Sequence, residues 1–398
     1  MRCREGACRV GTSAARNADV LVAGAGVIGL AVAWRAAQRG LSVTVADPAA
    51  GSGATNAAAG MLAPVTELAY GETPLLALNV SSARRYPSFV AELEQDSAMT
   101  VGYRTCGTLQ VAWDGADLAA LRDLHAFQLS LGLAAELVTG RELHRLEPGL
   151  AVGLPGGVVA AGDHQVDNRL LYAALRAAAA REGVAFAASR VTDLVVTGDR
   201  VTGARLDTGE VLGAGAVVLA AGAWSMQVGG LPPDLLPTIR PVKGQTLRLR
   251  TTGEPLLRHV LRGSVRGSPV YLVPRADGGI VVGASSEAVG FDLRPRAGAV
   301  YELLRDAQAL LPAIGEAEID EISTGLRPAT PDNAPLIGRT SLPGLLLATG
   351  HYRNGLLLAP VTADTIADLL AGGADQPELA AAAPTRFAAT AAAAVAAR

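Results

Sequence analysis

Lysine is nearly missing from this chain, with Lys243 standing alone against thirty-three arginines. Cysteine is scarce as well: Cys3, Cys8 and Cys106 are the only three, and aromatics make up 4% of 398 residues. Three cysteines, two of them in the first eight positions, form no disulfide framework, and the compartment this suggests is a reducing cytoplasm. A net charge of −3 with a pI near 6 argues against a nucleic-acid or anionic-membrane partner. Long apolar runs are absent too. The best candidate, residues 20–34, meets Arg35 at once and is too short to span a bilayer. His125, His144, His164, His259 and His351 show no metal-ligand spacing, and no metal is expected.

Alanine is what the chain has in excess, at 77 residues. Excess alanine and arginine together are what a GC-rich coding sequence produces, so an arginine is singled out below only where a motif surrounds it. Many leucines and valines with few charges exclude wholesale disorder, and the length allows two to three domains. Residues 1–18 read as a loose extension and residues 371–398 as an alanine-rich tail.

A β-branched run over 20–23 leads through glycines into a helical stretch ending at Arg39, with Gly40 as its left-handed cap. Residues 41–46 read as the next strand, giving a strand–helix–strand unit. Further helices are expected over 75–93, 116–131, 168–182, 298–311 and 354–370. A Gly/Ser/Ala loop is expected over 51–60. Strands are expected within 100–112, 184–220 and 238–284, and over 318–323 and 344–348. Parallel units at both ends around antiparallel blocks predict an α/β chain (α+β overall), a split nucleotide-binding domain with a second domain inserted.

Gly24-Ala25-Gly26-Val27-Ile28-Gly29 supplies G-x-G-x-x-G between the first strand and its helix. Gly24 permits the tight turn, Gly26 lets a pyrophosphate approach the backbone, and Gly29 allows close helix–strand packing. The helix N-terminus then offers free N–H groups and its positive dipole end to phosphate. Asp47, 18 residues after Gly29, ends the second strand where an acid can hydrogen-bond a ribose hydroxyl. The four parts together point to an adenine dinucleotide and leave FAD or NAD open. Strand ends at Gly222 and Gly350 are placed to close over a long cofactor.

GHYRNG at 350–355, GLRPATPD at 325–332, PVKGQ at 241–245 and AAAGML at 57–62 are more specific. With the fingerprint, they make residues 18 to 370 resemble the D-amino-acid-oxidase-like FAD-dependent oxidoreductases, above all the glycine oxidases of thiamine biosynthesis. The resemblance implies non-covalent FAD in a discontinuous Rossmann-like domain (19–85, 150–235, 325–370). An inserted antiparallel-sheet substrate domain (86–149, 236–324) completes the fold. It implies cofactor contacts at Gly24, Gly26, Val27, Ile28, Gly29, Asp47 and Pro48, and along the loop at Ala54, Thr55, Ala59, Gly60 and Met61. Further contacts fall on Val191, Gly222, Gly325, His351, Tyr352, Asn354, Gly355 and Leu356. Arg327 and Arg353 match substrate-side arginines, and Tyr271 matches an active-site tyrosine. Pro269 stands where some glycine oxidases carry histidine, which bears on the shape of the amine pocket.

The implied reaction is oxidation of glycine, sarcosine or D-alanine to the imine and 2-oxo acid, with O2 reduced to H2O2. The resemblance also implies a thiazole synthase downstream and a homo-oligomer. Arginine suits the task of orienting the substrate, because its planar fork binds a carboxylate in a bidentate way. Arg327 is the expected anchor, Arg353 a second contact or flavin-side support, and Tyr271 closes the pocket. The N-terminus of the helix expected from Asn354 would stabilise negative charge at the flavin's pyrimidine end. Lys243 reads as a solvated strand lysine. Two alternatives stay open: a D-amino-acid dehydrogenase or sarcosine oxidase of the same fold, and a non-catalytic FAD-binding protein.

Overall fold

Short runs of valine, leucine and alanine bury both faces of a strand, and such runs build the first of two large sheets. The computed structural model describes residues 17–232, 235–251 and 253–387. In the first sheet the strands Ala18–Ala23, Val43–Ala46, Val211–Leu219, Leu345–Thr349 and Ala185–Ala187 run parallel, with Leu336–Arg339 antiparallel at one edge. Val191–Thr197 and Arg200–Leu206 extend Val211–Leu219 as an antiparallel meander. The helices Val27–Gln38, Asn168–Arg181, Ala359–Leu370 and Thr73–Ser97 pack together over this sheet. Trp34 is wholly buried among them, edge-on to Phe89 at 5.4 Å between centroids.

The second sheet has eight strands: Glu318–Ala329, Arg240–Arg250, Ile280–Gly283, Ser268–Pro274, Val260–Val265, Thr108–Ala112, Gly156–Ala160 and Glu136–Thr139, in that order across it. All its pairings are antiparallel except Val260–Val265 with Thr108–Ala112. Its separate core includes Leu247, Leu261, Leu272 and Val282 under Leu303 and Leu310 of the helix Ala297–Leu310. The fold class is as expected, a nucleotide-binding layer with an antiparallel sheet inserted.

Sheet membership changes at other residues than 85/86, 149/150 and 324/325. The helix Thr73–Ser97 runs through the first of these positions and packs on the nucleotide layer throughout. Gly156–Ala160 belongs to the second sheet. The strand expected over 318–323 continues to Ala329, because it pairs with Arg240–Arg250 along its whole length. Gly325 and Arg327 therefore sit inside a strand of the second sheet, where a strand end was expected. The helix expected from Asn354 starts at Ala359, and residues 354–358 are turns.

Residues 1–16 and 388–398, which hold most of the expected extension and the end of the expected tail, lie outside the described residues. Of the expected tail, Pro377–Ala382 and Pro384–Phe387 form short 3-10 turns. Arg386 there ties back to Asp332 at 2.9 Å and to the carbonyl of Pro335 at 2.8 Å. No helix among the described residues is long and apolar enough to cross a membrane.

Candidate active site

The carboxyl ends of the parallel strands open on one cavity of about 1120 Å³ that runs into the second sheet. At its nucleotide end Gly24 has φ +114°, and a Cβ there would lie 2.5 Å from the carbonyl oxygen of Ala220. Only glycine lets the turn sit this close to the neighbouring strand end. Gly26 ends the turn and has no capping side chain; Thr55 supplies the cap from elsewhere, its Oγ1 accepting from Val27 N–H at 3.0 Å. Asp47 accepts from the N–H of Ala25 and of Ala49, each at 2.7 Å, and so holds the glycine turn as well as facing the cavity. Pro48, Val191 and Gly222 line the same end, joined by Arg190 and Trp224, which sequence reasoning missed. Gly29 does not line the cavity. A Cβ there would meet the Gly24 carbonyl oxygen at 1.9 Å, so its part is packing helix on turn.

The segment expected as a loop is a single helical turn, Ala54–Ala57, followed by the short strand Met61–Leu62. It is wedged between the sheets by polar contacts to its carbonyls. Asn168 donates to Thr55 and Asn56 at 2.7 and 3.1 Å, Thr246 to Ala57 at 2.9 Å, and Arg275 to Ala59 at 2.8 Å. Arg275 is itself buried, paired with Asp167 at 3.2 Å and bonded to Gln165. Gly325 backs this turn, where a Cβ would fall 2.8 Å from that of Ala57. Ala54, Thr55, Ala59, Gly60 and Met61 all line the cavity.

Tyr271 and Arg327 face the far end from strands of the second sheet that have two others between them. Two glycines make room for them. A Cβ on Gly244 would lie 2.5 Å from Nη2 of Arg327, and one on Gly283 would lie 2.4 Å from the Tyr271 hydroxyl. Burial pushes the Tyr271 phenol up, against the pull of Arg327 and Arg262, so it stays a neutral donor. Arg327 donates to the carbonyl of Ser285 at 3.1 Å and makes no ion pair with any described residue.

Arg353 differs. It pairs with Glu72 at 2.5 Å and Glu67 at 3.5 Å, and its guanidinium sits 5.0 Å from the Tyr352 ring centroid. Glu67 also holds Arg262, another cavity-lining residue that the sequence did not single out. Arg353 therefore lines the cavity with its charge already matched, which does not favour it as a second carboxylate contact. Pro269 lines the cavity two residues before Tyr271.

Residues 350–356 form the remaining wall. Tyr352 adopts φ +46°, and its N–H donates to the Pro328 carbonyl at 3.0 Å. The turns that replace the expected helix start are held from the helix Thr73–Ser97: Tyr86 Oη donates to the Leu356 carbonyl at 2.9 Å, and Ser82 Oγ to that of Leu357 at 2.6 Å. With the carbonyls taken, the N–H groups of Gly355 and Leu356 have no acceptor among the described residues, and both residues line the cavity. His351 is buried, exchanges a hydrogen bond with Thr362 at 3.0 Å, and is pushed down to about 3 by burial, so it is neutral at physiological pH. Asn354 also lines the wall.

A dinucleotide turn at the ends of a parallel sheet, with a buried polar end built on a second sheet, defines the class as a dinucleotide-binding α/β protein. The glycine cradle fits the pyrophosphate, and the cavity lies just above the usual size range of small-ligand sites.

The chain belongs to the FAD dependent oxidoreductase (DAO) family, whose model matches residues 19–369. It is similar to the bifunctional protein ThiO/ThiG of Trichormus variabilis, 37% identical over 354 residues, covering 88% of this chain and 52% of that protein. The chain thus spans about half the length of the first curated relatives it matches. The glycine oxidase of Geobacillus kaustophilus is 34% identical over 356 residues, covering 88% of this chain and 92% of that one. The crystal structure of glycine oxidase from the same organism superposes with a TM-score of 0.85, covering 93% of this chain and 99% of that one at 34% identity.

Proposed function

We propose that this chain oxidises glycine and similar small amines, sarcosine and D-alanine among them, at the Cα–N bond. The observation that carries the reading is Arg327, a cavity-wall guanidinium with no carboxylate partner, set beside the neutral phenol of Tyr271. Curated relatives named glycine oxidase support the substrate. Bound FAD supplies the electron-accepting chemistry that takes the amine to the imine, and O2 then takes two electrons and two protons to give H2O2.

The chain's own residues bind and orient. Arg327 takes the substrate carboxylate with its planar fork, which fixes the direction of the Cα–H bond. Tyr271 donates a hydrogen bond from the same side and closes the pocket. Glu67 and Glu72 between them match the charges of Arg262 and Arg353, while Arg327, at the same end of the cavity, has no ion pair among the described residues. The free N–H groups of Gly355 and Leu356 stabilise negative charge at the cavity wall. His351, neutral and buried, keeps the 350–356 wall in place through Thr362.

Names that join ThiO with ThiG support a thiazole synthase as consumer of the imine. A cytoplasmic location and self-association complete the reading. Oxygen uptake with H2O2 formation on glycine, sarcosine and D-alanine tests it. Arg327→Ala is expected to lower kcat/KM for glycine about a hundredfold, chiefly through KM. Turnover that needs an added dye, or that strongly prefers D-alanine, points to the dehydrogenase alternative; absent turnover with bound FAD points to the non-catalytic one.

A further inference from the structure

The only lysine of the chain is wholly buried, where a solvated strand residue was expected. Lys243 Nζ pairs with Glu287 Oε2 at 2.9 Å and donates to the carbonyl of Arg294 at 3.0 Å. The two backbones bridge as well: Lys243 N–H donates to the Glu287 carbonyl and Glu287 N–H to the Lys243 carbonyl, both at 2.9 Å. The other carboxylate oxygen of Glu287 accepts from Gln245 Nε2 at 2.6 Å and from Ser285 Oγ at 2.8 Å. Burial would raise this carboxyl, yet the hydrogen bonds from Lys243, Gln245 and Ser285 hold it below the usual range, so it is ionised.

This cluster abuts the proposed substrate anchor at two points. Ser285, whose Oγ accepts from Gln245 N–H at 3.0 Å, offers its carbonyl to Arg327, and Gly244, next to Lys243, is the residue whose missing Cβ admits the guanidinium. Glu287 is thus a carboxylate two residues from the carbonyl that Arg327 touches. Arg296 Nε reaches the same Glu287 oxygen only at 3.6 Å and from an exposed side chain, so with Lys243 removed the carboxylate keeps just that outer cation and becomes a counter-ion for the Arg327 guanidinium.

We infer that Lys243 is a positioning residue for substrate recognition: it commits Glu287, fixes the 285–287 turn against Arg327, and leaves that guanidinium's charge for a substrate carboxylate. The inference rests on Arg327 being the carboxylate anchor. Lysine suits this place because a compact ammonium fits a closed pocket and satisfies one carboxylate oxygen and one carbonyl together. Burying an ion pair gains little stability over apolar packing, which favours a role in placing charge.

The test uses FAD-loaded protein and glycolate, a carboxylate without an amine, with binding read from the visible absorbance of the flavin. Wild type binds glycolate, and Arg327→Met abolishes that; failure here overturns the anchor reading itself, before Lys243 is in question. Lys243→Met is expected to weaken glycolate about tenfold and to raise the glycine KM by a similar factor, with kcat within about threefold. Adding Glu287→Gln to Lys243→Met removes the released charge and recovers most of the glycolate affinity. Ser285→Ala, which keeps both buried charges, weakens glycolate about threefold and serves if Lys243→Met does not fold. Glycolate affinity unchanged in Lys243→Met, or in Ser285→Ala where the former cannot be made, overturns the inference. So does a loss in Lys243→Met that Glu287→Gln does not reverse.

Discussion

At the scale of single residues, the substrate end is shaped as much by missing side chains as by present ones. Neither Gly244 nor Gly283 has the positive φ that favours glycine. They are needed because Arg327 and Tyr271 occupy the space of a Cβ. Gly244→Ala should displace the Arg327 guanidinium without removing its charge, and steady-state kinetics should show the glycine KM raised about tenfold or more with FAD content unchanged. An unaltered KM would mean Arg327 is not held where substrate binds. Asp163 is a second telling residue. It is fully buried and accepts from Val65 N–H, Thr66 N–H and Thr66 Oγ1, so it fixes the turn that carries Glu67. Burial pushes its carboxyl from the ordinary 3.8 up to about 6, against those hydrogen bonds. A carboxyl raised on folding contributes stability that is full below about 4 and is lost as pH rises through about 6. The gap in Tm between Asp163→Asn and the parent should therefore shift in the variant's favour from pH 4.5 to 7. A gap that is flat with pH would contradict this.

At the scale of elements, the glycine turn and its helix were legible in the sequence because their requirements are local. A strand, a φ that only glycine adopts readily, and a helix N-terminus all lie within a dozen residues. Gly24→Ala should impose a clash with the Ala220 carbonyl as well as backbone strain, and the purified protein is expected to lose most of its FAD. Normal flavin content in that variant would contradict the assignment of the turn. The elements misjudged from sequence are those fixed from a distance. The helix expected from Asn354 begins at Ala359, because Tyr86 and Ser82 take the Leu356 and Leu357 carbonyls and hold residues 354–358 as turns. The strand expected to stop at Ser323 runs to Ala329 because a long partner strand pairs with all of it. Burial of Lys243 was equally hidden, since Glu287 lies far along the chain. Arg262, Glu67 and Glu72 were missed because no motif joins them; only the folded chain brings them to Arg353.

At the scale of the whole molecule, two sheets with separate cores share one cavity, and each supplies half of what the proposed reaction needs. The parallel sheet gives the dinucleotide turn, with its glycines and Asp47; the antiparallel sheet gives Arg327 and Tyr271. The turn Ala54–Ala57 and the buried network of Asn168 and Arg275 join them by hydrogen bonds, so the proposed cofactor and substrate positions share one contact. The central claim is that a small amino acid, held by its carboxylate on Arg327, passes electrons to FAD in that cavity. Anaerobic addition of glycine to the yellow protein tests it most directly. The account predicts loss of the visible absorbance of the oxidised flavin, with Arg327→Ala needing far more glycine for the same bleaching. Flavin that stays oxidised at saturating glycine, or bleaching that is unchanged in Arg327→Ala, would contradict it.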